Sequence, residues 1–152
     1  MKRLLSTVVL VCAWTGTSLA QEREWILDAA AEDAFLVFGV PQTEDVGLSF
    51  WCKIGSGKIN LLTPEPGIKL KDAMPTTIAV TVAGKTYNVQ GRTAIGSDSM
   101  RGSVEAEIRP DDPLFDALKS TDRFSIQASG HKTVYPTEGA DFAGLLKVCL
   151  AG

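Results

Sequence analysis

The chain has few of the side chains from which catalytic and metal sites are commonly built. Its 152 residues include a single histidine, His131, and three cysteines. No two cysteines have the C-x-x-C spacing of a redox pair, and a structural zinc site needs about four ligands. The G-x-S-x-G nucleophile motif is also missing, so Ser56 or Ser129 with His131 lacks the context of a hydrolase triad. We therefore predict no catalytic residue, no metal and no cofactor.

Long apolar runs are scarce too, and the one that stands out lies at the N-terminus. Lys2 and Arg3 precede the apolar run Leu4–Trp14, and the small residues of Ser18–Ala20 follow it. This is the pattern of a secretory signal peptide cleaved after Ala20. The run is shorter than the roughly 20 residues that cross a bilayer, so we predict no stable membrane insertion. We expect residues 1–20 to be removed and residues 21–152 to form one domain in the periplasm or outside the cell.

The chain has fewer basic residues than a protein that binds a polyanion is expected to have. The chain has 15 basic and 18 acidic residues, and the loss of Lys2 and Arg3 with the signal peptide makes the balance more acidic. Nucleic acids and anionic membrane surfaces attract basic proteins. We therefore predict no binding to nucleic acid and expect the partner to be another envelope protein. The composition leaves the oligomeric state open.

Two cysteines remain after Cys12 is removed with the signal peptide. Val11, which precedes Cys12, argues against lipid attachment to that cysteine. In an exported chain two cysteines are expected to form a disulfide. Cys52 lies on the apolar face of a predicted strand, on the same side as Leu48 and Phe50. Its partner follows a helical stripe at i, i+3, i+4 and i+7. That stripe consists of Phe142, Leu145, Leu146 and Cys149. We predict a Cys52–Cys149 disulfide that pins the last helix across a sheet.

The hydropathy pattern is that of short strands. Apolar residues alternate with polar ones in several segments, and glycine-containing turns such as Gly55–Gly57 connect them. Asp112 before Pro113 predicts a short helix, and Thr137 predicts the start of a C-terminal helix that runs to about Leu150. Neither βαβ alternation nor an internal repeat is present. The predicted fold is mainly β (α+β): an antiparallel sandwich or curled sheet of about eight strands, with the short helix and the C-terminal helix packed on it.

One candidate binding segment is the stretch Gly91–Gly102, which is long and glycine-rich for a turn between two strands. Loops carried by a rigid sheet often hold binding residues. Arg92 and Arg101 could pair with a carboxylate or phosphate of a partner, and Ile95 and Met100 could give apolar contact. The alternative is a plain mobile connection that folding does not need.

Trp51 and two glutamates are the other candidates. Trp51 points away from Cys52, so it lies either under a second layer, which we favour because tryptophan is usually buried, or at the surface as an anchor for a partner. Glu105 and Glu107 share one strand face, as glycosidase carboxylates might. The simpler interpretation of the pair, which we adopt, is the solvated side of a strand.

These features together resemble a group of small periplasmic proteins of Gram-negative bacteria. The residues that carry the resemblance follow the signal peptide and are Leu48–Cys52, Pro113–Leu118, Tyr135-Pro136, Gly139-Ala140 and Leu145–Cys149. In outline the chain is similar to invasion-associated locus B proteins and to a periplasmic accessory family of type VI secretion loci. It has fewer cysteines than the first family and lacks the aromatic residue that follows the terminal cysteine in the second. The resemblance implies an envelope protein without enzymatic activity and transfers no catalytic residue.

From these observations we expect an exported periplasmic binding or accessory protein without catalytic activity. Its candidate partner-binding residues are Arg92, Arg101, Met100 and Trp51. The alternative is a hydrolase or hydrolase inhibitor that acts on cell-wall material, for which His131 would be the residue to test.

Overall fold

The computed structural model describes residues 22–65, 71–95 and 102–151. The predicted signal peptide, together with Met100 and Arg101, lies outside these residues. The described ranges contain nine strands and two helices. The strands are β1 (Glu24–Ala30), β2 (Asp33–Gly39), β3 (Val46–Lys53), β4 (Ile59–Glu65), β5 (Pro75–Val82), β6 (Lys85–Ile95), β7 (Gly102–Ile108), β8 (Arg123–Ala128) and β9 (His131–Pro136). The helices are α1 (Pro113–Lys119) and α2 (Phe142–Leu150).

All nine strands belong to one antiparallel sheet in the order β1-β2-β3-β4-β7-β6-β5-β8-β9. The sheet is curled into a half-barrel. Of the two arrangements predicted from the sequence, the curled sheet is therefore the one present. Antiparallel neighbours follow from the short connections, because a turn of a few residues can only return the chain beside itself.

One face of the sheet carries the core, and strand alternation sets which side chains reach it. In β3, Leu48, Phe50 and Cys52 are fully buried, as their shared spacing predicts. The ring of Phe50 packs edge-on against Phe142 of α2, with centroids 5.3 Å apart. We call this core-bearing side the inner face and the opposite side the outer face.

The first and last strands of the half-barrel approach each other across its open side. The indole Nε1 of Trp25 in β1 donates a hydrogen bond of 2.7 Å to the carbonyl of Pro136 in β9. The hydroxyl of Tyr135 donates one of 3.2 Å to the carbonyl of Gly47 in β3. Both side chains are largely buried, so these contacts hold the curl closed while satisfying polar atoms that would otherwise lack partners.

Helix α2 packs on β1, β2 and β3, and the predicted disulfide joins it to the sheet. The Cα atoms of Cys52 and Cys149 lie 5.8 Å apart, within the usual range for a disulfide. The helix begins at Phe142, later than the predicted start at Thr137. The reason is local, because the carboxylate of Asp141 accepts a hydrogen bond from the amide of Gly144 at 2.8 Å and so caps the helix there. No helix within the described ranges is long and apolar enough to span a bilayer.

Helix α1 forms where the sequence predicts it. The carboxylate of Asp112 accepts a hydrogen bond from the amide of Leu114 at 2.9 Å, and Pro113 occupies the first turn. The helix buries Leu114, Phe115 and Leu118, and it contacts α2. Both helices therefore contribute to the same core.

The prediction that Gly91–Gly102 is one loop is wrong for its first five residues, which continue β6 and pair with β7. Gly91 is in the strand because neighbouring chains come close there. A Cβ at this position would clash with the carbonyl oxygen of Glu105. The glycine thus marks a close approach between two strands, which sequence alone does not distinguish from a turn.

We expect the Cys52–Cys149 bond to stabilise this fold strongly without being needed for it to form. Non-reducing mass analysis of the mature protein should find no free thiol. Replacing both cysteines with alanine should lower the free energy of unfolding by about 2 to 5 kcal/mol, because the bond closes a long loop. The core between α2 and the sheet should still form, and the far-UV circular dichroism of the variant should match that of the reduced wild type. Two freely titrating thiols in the native protein would contradict the pairing.

Candidate functional site

The outer face of the sheet exposes a stacked pair of aromatic rings. Phe35 of β2 and Trp51 of β3 are opposite each other in the strand register, and their ring centroids are 6.2 Å apart at an angle of 22°. Phe35 is 37% exposed and Trp51 is half-buried. The favoured prediction of a second layer over Trp51 is therefore wrong within the described residues. Both helices pack on the inner side, so among the described residues this tryptophan is covered by its neighbours on the sheet.

A shallow groove of about 250 Å³ lies beside Phe35. Its apolar lining includes Ile26 of β1, Val37 of β2 and the exposed Val46. Asp28 adds an exposed carboxylate at the edge. We call the surface formed by Ile26, Phe35, Val37 and Trp51 the outer aromatic face.

The outer face becomes polar toward β6. Across the strands, Trp51 is opposite Asn60, and Asn60 is opposite Glu107. Lys58 pairs with the exposed Glu107 at 3.1 Å, and the half-buried Glu105 lies on the same face, so both carboxylates belong to the polar side of the strand. Arg92 is exposed and is opposite Glu105 in the register.

Of the four predicted partner-binding residues, the structure thus places two on the same surface. Trp51 and Arg92 share the outer face, three strand spacings apart, which is about 14 Å across the sheet. Met100 and Arg101 lie outside the described residues. Arg92 is carried by a paired strand rather than a loop, so its backbone position is fixed by the sheet.

A second candidate site, which the sequence analysis missed, lies on the inner face around Glu65. Burial in β4 alternates through Ile59, Leu61, Thr63 and Glu65, so the last two side chains bring polar atoms to the inner face. Glu65 is only 3% exposed, and its carboxylate oxygen Oε2 has no hydrogen-bond partner among the described residues. Burial raises the pKa of Glu65, and the positive charge of His131 partly offsets that rise.

Hydroxyl-bearing side chains lie close to one another near this end of β4. Burial raises the pKa of the Tyr135 phenol. The side chains of Thr133 and Thr63 interact with its hydroxyl and lower that pKa, as does the charge of Arg23, and the charge of Glu65 raises it. We call Thr63, Glu65, Thr133 and Tyr135 the Glu65 cluster. The cluster combines hydrogen-bonding groups with a buried acid, which is an unusual combination for a purely structural core.

An open cleft of about 320 Å³ borders the Glu65 cluster. Thr133, Tyr135 and Pro64 line one part of it, and the rest comes from the segment before β3 and from the start of β1. At the rim, Arg23 and Asp45 form an exposed ion pair with two contacts, the shorter of which is 2.6 Å. The cleft and the groove of the outer aromatic face share Asp45 and Val46 at their borders.

From the sequence alone, the three prolines of Thr63–Pro75 predict an ordered surface loop, which hides Glu65 as a candidate. That prediction is wrong at its N-terminal end, where β4 continues to Glu65 and pairs with β7 as far as Gly102. Pro64 lies within this ladder, a position that proline seldom occupies. The alternation from Ile59 onward is the signal that could have extended the strand.

The described residues contain no group of three or more histidine, cysteine, aspartate or glutamate side chains that could hold a metal ion. Comparison of the chain with protein-family models, with curated proteins and with solved structures finds no match. The function has to be argued from the two surfaces described above.

The raised pKa of Glu65 predicts a pH dependence of stability with a definite sign. The folded protein holds the proton on Glu65 to a higher pH than the unfolded chain, whose carboxyl titrates near its ordinary value of 4.5. The stability contributed by the protonated form is therefore present below that value and lost as the pH rises through the folded-state pKa. Urea unfolding between about pH 4 and pH 7 should show wild type losing stability relative to the Glu65→Gln variant as the pH rises.

Glu107→Gln is the matched control, since it removes an exposed carboxylate from the neighbouring strand. Its unfolding free energy should run parallel to that of wild type across this pH range. Parallel curves for wild type and Glu65→Gln would show that burial does not shift the titration of Glu65.

Proposed function

We propose that the protein is an exported periplasmic binding or accessory protein without catalytic activity, which docks on another envelope protein through the outer aromatic face. The observation that carries this proposal is the stacked pair of Phe35 and Trp51 on a sheet surface that no described element covers. Exposed aromatic rings on a rigid surface are typical of the anchor residues of interfaces, where they contribute much of the binding energy.

The shape and charge of the surface indicate the kind of partner. The groove beside Phe35 can take one apolar side chain, and Asp28 at its edge favours a basic neighbour on the same partner. Toward β6, Glu107 is paired with Lys58, and Glu105 is opposite Arg92. The partner that fits is a protein segment with an apolar anchor flanked by lysine or arginine.

The compartment is part of the same proposal. A disulfide that joins β3 to α2 suits an oxidising environment such as the periplasm. The predicted signal peptide over residues 1–20 and the resemblance to periplasmic accessory proteins support the same location. The resemblance to invasion-associated locus B proteins and to type VI secretion accessory proteins stays a prediction.

A double variant tests the docking surface. Phe35→Thr with Trp51→Thr removes both rings but keeps residues that suit a strand, so binding should fall by at least about tenfold, or 1.4 kcal/mol, because aromatic anchors dominate interfaces. The measurement is capture of crosslinked partners from native envelopes, followed by affinity measurement with the purified partner.

Val134→Thr is the control, because Val134 is 60% exposed on β9, away from the aromatic pair, and the change is nearly isosteric. A partner that both the double variant and the control bind equally well would rule out the outer aromatic face as the docking site. Urea unfolding of each variant checks that the sheet is intact.

One observation favours the alternative of a hydrolase or hydrolase inhibitor acting on cell-wall material. Glu65 is a buried acid with a raised pKa beside the chain's single histidine, and such a carboxyl can serve as a general acid. If the protein hydrolyses cell-wall fragments, His131→Ala should slow turnover by about 100-fold or more. Under the docking proposal, wild type shows no turnover and His131→Ala keeps its partner. An inhibitor would also show no turnover, and its captured partner would be a hydrolase.

A further inference from the structure

We propose that the free edge of β1 accepts an extended segment of the envelope partner as an added strand, and that basic and apolar residues alternate along this segment. The proposal rests on the docking function argued above and deepens it, because the added strand lies beside the outer aromatic face. It assigns part of the binding to main-chain hydrogen bonds, which the aromatic pair does not provide.

The edge is open over the second half of β1. This strand ends the sheet, with β2 on one side and no described strand on the other. At its start, Trp25 reaches across to the carbonyl of Pro136, so that part of the edge faces β9. Further along, Asp28, Ala29 and Ala30 are all exposed. Consecutive residues point to opposite faces, so their shared exposure means that no described element covers this part of the strand.

The register of the sheet shows which backbone groups of β1 are free. The amide of Ile54 donates to the carbonyl of Glu32 at 2.8 Å, so Glu32 directs its backbone groups toward β3. Because this direction alternates along an antiparallel strand, the next residue turns toward β1, where it pairs with Ala30. The same alternation in β1 directs the N–H and C=O groups of Leu27 and Ala29 away from β2. These groups are available to a further strand.

The two terminal strands of the sheet differ in their protection against strand addition. Exposed lysine and proline residues on an edge strand obstruct the pairing of a further strand. Strand β9 carries both, as Lys132 and Pro136. Strand β1 contains neither residue type and pairs with β2 without a bulge. Of the two edges, β1 is therefore the one that is suited to accept a strand.

The outward side chains of β1 define the chemistry of the added strand. Glu24, Ile26 and Asp28 share the outer face, and neither carboxylate has an ion-pair partner among the described residues. Side chains on neighbouring strands lie directly beside one another. The matching segment therefore has the pattern basic-x-apolar-x-basic, with its apolar residue beside Ile26 and the groove near Phe35. A second copy of this chain fits less well, since it would bring further carboxylates to the same edge.

Nuclear magnetic resonance of the isotope-labelled mature protein with the peptide Ac-TKTVTKT-NH2 tests strand addition. Saturable binding should shift the amide resonances of Leu27 and Ala29 and slow their hydrogen exchange by about tenfold or more, because both amides gain partners. The peptide Ac-TETVTET-NH2, with glutamate in place of lysine, is the charge control. It should bind at least about tenfold more weakly.

Backbone methylation of the lysine peptide separates strand addition from binding through side chains alone. One derivative carries N-methyl groups on the two threonines beside valine, and the other carries them on valine and both lysines. An antiparallel added strand uses the first set of amides, and a parallel one uses the second. One derivative should therefore bind about tenfold or more weakly, whereas the other should bind within about twofold of the parent peptide.

A proline at the edge provides the matching change in the protein. Ala29→Pro removes an amide from the free edge without removing a hydrogen bond to β2, so the peptide should bind about tenfold or more weakly. Val134→Pro is the control, because Val134 is exposed and its amide also points away from the sheet, on β9. It should leave peptide binding unchanged, and urea unfolding checks that both variants are folded.

Four results would overturn strand addition. They are no binding of the lysine peptide at millimolar concentrations, equal binding of the two methylated derivatives, equal binding by folded Ala29→Pro, and a dimer of the free protein that Ala29→Pro abolishes, which would assign the edge to a second copy. Should Ala29→Pro fail to fold, the methylated peptides decide.

The captured envelope partner separates this proposal from docking itself. If Ala29→Pro keeps that partner and the double variant of Phe35 and Trp51 loses it, docking through the outer aromatic face stands and strand addition is wrong. If the double variant keeps the partner, the docking surface is wrong, whatever the peptides show.

Discussion

The fold depends on the packing of one helix into the inner face of a curled sheet. Phe142 of α2 lies 5.3 Å from Phe50 and 5.7 Å from Trp25, so the helix meets the sheet through aromatic rings from two strands. Burying rings of this size gives more stabilisation than any surface ion pair in the molecule. The Cys52–Cys149 bond then fixes the end of the same helix, which places the covalent link where the packing already holds the two surfaces together.

Because both helices pack on the inner face, no described element packs on the outer face of the sheet. An antiparallel sheet normally carries polar residues on its solvated face. Here β2 and β3 present Phe35, Val37 and Trp51 instead, whereas the neighbouring strands return to the ordinary pattern with Asn60 and Glu107. The departure is confined to one part of the sheet, which is the surface of the proposed docking site.

Strand alternation and helix caps could be predicted from the sequence because each depends on residues that are close together in the chain. The cysteine pairing could be predicted because only two cysteines follow the predicted signal peptide. Leu48, Phe50 and Cys52, for example, are buried as their spacing requires. Gly91 and Pro64 could not be interpreted correctly, since their places in strands depend on contacts with Glu105 and with β7 that only the sheet order creates. Glu65 was lost with Pro64, and the exposed position of Trp51 required knowing that both helices pack on the inner face.

The inner side of β4 becomes polar toward Glu65, at the end of the strand away from the turn that meets the end of α2. The helix ends beside the turn after β3, where the amide of Gly57 donates to the carbonyl of Cys149 at 3.3 Å. Toward its other end β4 changes from Ile59 and Leu61 to Thr63 and Glu65. The polar side chains of β4 therefore lie at the end of the strand away from the contact between Gly57 and Cys149, and the apolar stripe of α2 packs on β1, β2 and β3.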